Sequence, residues 1–583
     1  MRYPQLKELP TSREMVDVFR GYNHNLRISN GEFFNMENMT SDHYPVLSPR
    51  GKRGVYAKPA SPQGLIPKES LCYVDGADFV IGEKRIPMGL STAESDNPKK
   101  LVSMGAYVII LPDKMYINTA DTEERGSIEA RYESESDVVF TLCRVDGSAY
   151  EVQYTQNEAP PNPTNTTLWV DTSTVPNALK QWSESSNMWV SIATTYVKIQ
   201  CTGIGRDFSV YDGITISGLK DLDSQVKTLD GSAIIYDKKD DYIVVVGILD
   251  KAETISSKVT ISRTMPVMDF IIESGNRLWG CRYGLDDHGE FVNRLYASKL
   301  GDFKNWNCYM GVSTDSYYAN VGSDGYFTGA VTHLGAALFF KEHCLHKVFG
   351  GQPSEFTVQD TACRGVQSGC EMSLAIVNEV LYYKARSGVC AYDGSLPVEV
   401  SYVLGSEKYY EAVAGAHGNK YYISMCDIHD RWHLFVYDTA KGLWHREDSL
   451  HATQFASYRG EMYCVDAEDR NIITLLGSAQ EDETVVHWMA ETGEMGISSP
   501  DMKYVSRIIL RMSMEIGSKM DIYAQYDLSE EWEHLGHVRG TRLTSFSLPV
   551  RPRRCDYMRL KFVGEGMCKI YSMTKTIEQG GYA

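Results

Sequence analysis

Between Leu278 and Tyr463 the apolar positions cluster into short aromatic strand cores with polar, turn-forming residues between them. The cores are Asn276-Arg-Leu-Trp279, Ala336-Ala-Leu-Phe-Phe340, Asn378-Glu-Val-Leu-Tyr-Tyr383, Asn419-Lys-Tyr-Tyr-Ile423 and Gly460-Glu-Met-Tyr463. Aligned on Leu278, Leu338, Leu381, Tyr422 and Tyr463, they recur at intervals of 60, 43, 41 and 41 residues. Four-stranded propeller blades repeat at this period, whereas helical arrays of similar length would place apolar residues every three to four positions. Gly76-Ala-Asp-Phe-Val-Ile81 and Gly105-Ala-Tyr-Val-Ile-Ile110 read as the first blades.

The rest of the chain is also strand-like, with β-branched and aromatic residues alternating with polar ones between Gly, Asn and Asp. Between Thr122 and Met265 the period is lost. The chain passes through Pro160-Pro-Asn-Pro163, segments bearing Trp182 and Trp189, and the strands Ile234-Ile-Tyr236 and Tyr242 to Leu249. From Glu481 the alternation over 503–514, 520–526, 544–550 and 557–563 has the spacing of a small antiparallel sandwich. The reading is all-β: a β-propeller of about six to seven blades, interrupted by a β-rich insert and followed by a C-terminal β-sandwich. Its parts are an N-terminal propeller portion at 1–121, the insert at 122–265, the main propeller at 266–480 and the sandwich at 481–583.

One turn design occurs twice, in Leu295-Tyr-Ala-Ser-Lys-Leu-Gly-Asp-Phe-Lys-Asn-Trp306 and Leu434-Phe-Val-Tyr-Asp-Thr-Ala-Lys-Gly-Leu-Trp444, with a shorter form at Tyr392-Asp393-Gly394. Asp bonds the turn backbone, Gly supplies positive φ, and the Trp that opens the return strand covers the joint between blades.

At 583 residues the length suits several domains. A hydrophobic share of 43% with 23% charged residues fits a folded chain and not a disordered one. The longest apolar run, Ile243 to Leu249, is far short of a membrane span. Met1 to Glu8 lacks the apolar core of an export signal, which leads to the expectation of a protein made in a cytoplasm or released by lysis. Thirteen scattered cysteines without a CxxC suggest reduced, buried thiols. A net charge of −18 disfavours phosphate-led nucleic-acid binding but suits a channel through which DNA slides.

The search for chemistry returns weak candidates. His429-Asp-Arg-Trp-His433 has the spacing of a zinc pair but lacks the glutamate and the helix. In His343-Cys-Leu-His346 a strand would point the two imidazoles to opposite faces. Gly203-Ile-Gly-Arg-Asp-Phe208 fails the dinucleotide fingerprint and reads as a turn. Asp286, Asp287 and Glu290, in the loop with His288, are the best glycosidase carboxylates on offer, and solvated loop charges are the simpler reading. Arg551, Arg553, Arg554, Arg559 and Lys561 form the one basic cluster and fit the outer face of a sandwich strand better than a DNA contact. Trp169, Trp182 and Trp189 offer a sugar-stacking platform or a buried core. No catalytic, cofactor or metal residue is assigned.

Asn35-Met-Glu-Asn-Met39, Tyr44-Pro-Val-Leu-Ser-Pro-Arg50, the turn Tyr296 to Trp306 and Phe546 to Arg554 resemble segments of bacteriophage virion proteins. The chain is similar to the β-propeller tail proteins: the tail nozzle, or tail tubular protein B, and the packaged-DNA stabilisation proteins. The resemblance implies a structural, non-enzymatic ring subunit of about six copies at the tail or neck of a virion, lining or sealing the DNA ejection path and touching other tail proteins. It implies no cofactor. The alternatives are a tail-tip protein that recognises a host glycan and a propeller enzyme that degrades polysaccharide.

Overall fold

The computed structural model describes residues 11–92, 98–287, 289–477, 483–496, 502–527, 529–540, 544–548, 550 and 553–579. His288 and Arg551 lie outside the described residues. The described chain is all-β apart from three short 3-10 helices, and no helix in it is long and apolar enough to cross a membrane.

Seven four-stranded sheets have the order expected of propeller blades. Six are simple meanders, spanning 62–87, 100–127, 270–320, 329–362, 375–399 and 409–446. The seventh takes three strands from 452–474, and its outer strand, Gly54–Ala57, comes from the N-terminal part of the chain, with Ile473 opposite Val55. The five positions aligned in the sequence all fall on the second strand of a sheet, and each is buried. By contact the chain divides into two units, one of Met1–Lys100, Phe339–Leu345 and Thr361–Ala583, the other of Leu101–Leu338 and His346–Asp360.

In the first unit the two strand environments have different sequence signatures. Leu71–Asp75 is buried along its whole length, and Lys420–Asp427 at all but its first residue. These strands are covered on both faces, which is why they read as continuous apolar runs. One face of the first blade packs on the last: Leu71, Tyr73 and Val80 share a core with Ala456, Tyr463 and Ile472. In the sandwich, by contrast, Lys503–Met514 and Lys519–Tyr526 alternate between buried and less buried positions, as strands with one covered face do.

The sandwich is built from both ends of the chain. Thr11–Val16 pairs with Cys568–Gln579, and Glu32–Glu37 pairs with His487–Thr492. Residues 11–37, placed with the propeller from sequence, thus complete the C-terminal domain.

In the second unit, the insert is three sheets running from Ala130 to Arg263. Two of them enclose a core that includes Phe140, Val197, Ile216, Ile243 and Ile261. The third, of Tyr154–Gln156, Leu168–Asp171, Ala178–Ser183 and Met188–Ser191, buries Leu168, Val170 and Leu179 beside Leu142. The blades on either side of the insert remain neighbours, since Met104, Ile109 and Tyr116 pack with Leu278, Tyr296 and Trp306.

Candidate functional site

Three of the four segments that carry the resemblance fold into joints. In the first unit, Asn38 adopts the left-handed conformation (φ 54°), which asparagine tolerates better than most residues. Its N–H donates to Glu447 O at 2.5 Å beside the 409–446 blade, and its side chain donates to His487 O of the sandwich at 2.8 Å. Arg50 Nε donates to Asn38 Oδ1 (2.7 Å), and Arg50 Nη1 pairs with Glu483 (2.7 Å). Arg53 spans Glu447 (2.7 Å) and Asp448 (2.6 Å). This lattice ties the N-terminal segment to both the last blades and the sandwich.

Beside it lies a cleft of about 570 Å³ lined in part by Asp42, His43, Arg50, Lys420, Asp438 and Lys441. Its charges cancel locally. Lys420 Nζ donates to Asp42 Oδ1 (2.6 Å), while Ser41 Oγ and Lys441 Nζ both donate to Asp438 Oδ2 (2.6 and 2.9 Å). Burial pushes the Asp42 carboxyl up, but Lys420 outweighs it and holds the group below the usual carboxylate range. His445, 1% exposed, has no hydrogen-bond partner at either ring nitrogen among the described residues. Burial, with Lys420 and Lys441 nearby, depresses its pKa and keeps the ring neutral.

The Asp/Gly turn 295–306 is the joint of the second unit. Lys304 N–H donates to Asp302 Oδ1 (3.0 Å), Gly301 takes positive φ, and Trp306 is buried in the core shared by the two blades. Asn305, fully buried, accepts from Gly213 N–H of the insert (2.8 Å) and donates to Asp212 (3.0 Å), which also pairs with Arg263. Gly213 is required by close approach, because a Cβ there would lie 2.5 Å from Asn307 O. The companion turn behaves alike: Trp444 is buried and donates to Val400 O at 2.8 Å, bridging to the preceding blade.

The remaining sequence candidates separate. His433 Nε2 bonds Asp427 Oδ2 (3.0 Å), while His429 enters the same group only through its backbone N–H (2.8 Å to Asp427 Oδ1). Gly203 to Phe208 is a turn, and a Cβ on Gly205 would lie 2.0 Å from Lys239 O. Asp286 accepts from Glu290 N–H (2.9 Å), closing its own loop, and Asp287 is exposed. Arg559 pairs with Glu491 (3.2 Å), Arg553 lies over Tyr526 (5.3 Å) and Lys561 over Trp532 (4.1 Å), so these cations are engaged within the sandwich.

Trp169, Trp182 and Trp189 share one face of their sheet, since Trp169 lies opposite Lys180 and Trp182 opposite Trp189. That face is turned away from the core formed by Leu168, Val170 and Leu179. Trp169 is buried, whereas Trp182 and Trp189 are half-buried, with ring centroids 5.5 Å apart. His346 and His343 do not act together. His346 is instead fully buried between Ser323 and Asp360, with Ser323 Oγ 2.8 Å from Nε2 and Asp360 Oδ1 2.5 Å from Nδ1. Sequence reasoning missed this cluster because its members come from three separate elements.

No family model matches the chain, and no curated protein matches it. Among solved structures the chain is similar to an exo-β-1,3-galactanase of Phanerochaete chrysosporium with galactose, at 8% identity over 52% of this chain and 94% of that one, with a TM-score of 0.21. A second is the Pyrococcus horikoshii acylaminoacyl peptidase, at 10% identity over 61% and 56%, TM-score 0.23. A third is an engineered GH43 glycoside hydrolase, at 10% identity over 54% and 99%, TM-score 0.20. With likeness this slight, the fold rests on the chain's own sheets. The expectation of a non-enzymatic chain finds no support among these structures, each of which is an enzyme.

Proposed function

We infer that the chain is a propeller subunit of a tailed-bacteriophage virion, placed at the tail nozzle or neck in a ring of about six copies around the DNA path. One observation carries this reading. Three of the segments that resemble phage tail proteins, 35–39, 44–50 and 296–306, supply Asn38, Arg50, Asp302, Asn305 and Trp306, which hold propeller, sandwich and insert together in their respective units. The resemblance therefore falls on residues that fix the domain layout. Propeller sheets with protected edges suit a ring subunit, and a net charge of −18 would discourage DNA phosphates from sticking during ejection. The test is negative-stain microscopy of the purified chain, together with immunolabelling of intact particles. Rings and labelled tails are expected; a chain that stays monomeric and is absent from particles refutes the reading.

A second reading, a propeller that acts on polysaccharide, is supported by the half-buried Trp182 and Trp189 on the outer face of the insert, where indoles can stack on sugar rings. Incubation with host-surface polysaccharide should then release reducing ends, and Trp182→Ala with Trp189→Ala should abolish retention on that polysaccharide. Intact polysaccharide and unchanged retention would remove this reading.

A further inference from the structure

We propose that Ser323, His346 and Asp360 form a nucleophilic site that cleaves carboxylic esters. All three residues belong to the second unit. A carboxylate can only accept, so the 2.5 Å contact of Asp360 Oδ1 with His346 Nδ1 places the ring proton on Nδ1. Nε2 is left as the acceptor facing Ser323 Oγ at 2.8 Å, the relation of base to nucleophile in acyl-transfer enzymes. The imidazole is 0% exposed, and Phe327 sets its ring edgewise against it (6.0 Å).

The serine stands where a substrate can reach it. It is half-buried in the loop that follows Tyr317–Asn320, between Gly322 and Gly325, where an added Cβ would meet nothing within 4 Å. Asn293 Nδ2 pins that loop by donating to Val321 O (2.9 Å) and Ser323 O (2.6 Å). Three residues beyond the serine, Tyr326 packs on Tyr283 (5.0 Å), which packs on Phe291 (5.1 Å). Tyr326 and Phe291 are 73% and 64% exposed, an apolar rim able to seat an aryl or sugar group of an ester.

In the reaction, Ser323 Oγ bonds to the ester carbonyl carbon as its proton passes to His346 Nε2 and the carbonyl electron pair moves to oxygen. The bond to the alcohol oxygen then breaks, and the imidazolium returns the proton to the departing alcohol. Water attacks the acyl-serine by the same route, giving the carboxylic acid and restoring the hydroxyl. One ester and one water become one acid and one alcohol. Asp360 touches no substrate and acts as a positioning residue.

The test treats the full chain with a fluorophosphonate probe and maps the adduct by mass spectrometry, with p-nitrophenyl acetate hydrolysis alongside. Labelling at Ser323 is expected, with a rate that depends on pH, and absent in Ser323→Ala. His346→Gln and Asp360→Asn should slow it by about 10²- to 10⁴-fold, the usual contribution of a general base. Should His346→Gln fail to fold, Asp360→Asn decides, because that carboxylate is 52% exposed. A folded wild-type chain without an adduct at Ser323 overturns the proposal. So does labelling that is independent of pH and unchanged in Asp360→Asn, the behaviour of a hydrogen-bond chain that only holds the loop.

Discussion

Arg53→Met separates a structural joint from a decorative ion pair. The Arg53 side chain is 10% exposed and reaches Glu447 and Asp448 at 2.7 and 2.6 Å. Methionine keeps much of the apolar stem but leaves Glu447, 6% exposed, facing His445 Nε2 at 3.9 Å, while Asp448 retains Arg50 at 3.6 Å. Removing one partner of a buried pair costs about 3–5 kcal/mol, and because Asp448 keeps a cation the lower end, about 3 kcal/mol, is expected. The cost falls on the adjoining strand Gly54–Ala57, which completes the last blade against Ile472–Thr474. At about 1.4 kcal/mol per tenfold, native-state hydrogen exchange of those amides should quicken by roughly 150-fold. Arg53→Met with Glu447→Gln, which removes the stranded charge, should recover most of the protection. Exchange at 54–57 that rises by less than about threefold in Arg53→Met would refute the reasoning, since so small a change lies far below the cost of stranding a buried charge.

The same joint has a pH signature. Burial pushes the Asp448 carboxyl up, but Arg53 and Arg50 outweigh it and hold it below the usual range. A depressed folded pKa contributes stability that is fully present above the unfolded value, about 3.9, and is lost as pH falls through the folded one. Protection of 54–57, corrected for intrinsic exchange, should stay level down to about pH 4 and fall below it, with a shallower fall in Arg53→Met.

Trp306→Ala should destabilise the packing of Met104, Ile109 and Tyr116 by about 3–5 kcal/mol, seen as a lowered calorimetric transition; an unmoved transition would contradict the joint described for that tryptophan. Burial lowers the His433 pKa and its bond to Asp427 opposes the shift, so Asp427→Asn should lower it further in an NMR titration, and a rise would contradict that balance. Of the thirteen free cysteines only Cys344 and Cys363 are half-buried, and burial pushes the Cys363 thiol up to about 11. Ellman's reagent at pH 8 should therefore titrate at most those two in the folded chain, Cys363 slowly; rapid reaction of more than two would show that the thiols are not enclosed.

The blades were legible in sequence because Leu278, Leu338, Leu381, Tyr422 and Tyr463 each sit on the second strand of a sheet, where burial imposes the same apolar demand at every repeat. Trp306 and Trp444 were legible for a similar reason, since a turn and a joint are both local. The contribution of Thr11–Val16 to the sandwich was not, because its partners lie near residue 575 and nothing along an edge strand names the other half of its ladder. Ser323, His346 and Asp360 were hidden in the same way: a strand can place a histidine, but only the fold decides which hydroxyl and which carboxylate meet it.

The pairing of Ile473 with Val55 also sets an order of events during synthesis. The ribosome makes Gly54–Ala57 early and must add over 400 further residues before its ladder partner exists. At about 5–20 residues per second that wait is roughly 20 to 80 s, during which an apolar edge stands open. The last blade is thus finished only once those residues have been made, and a truncated chain ending before Ile472 would carry the closing strand with nothing to close on.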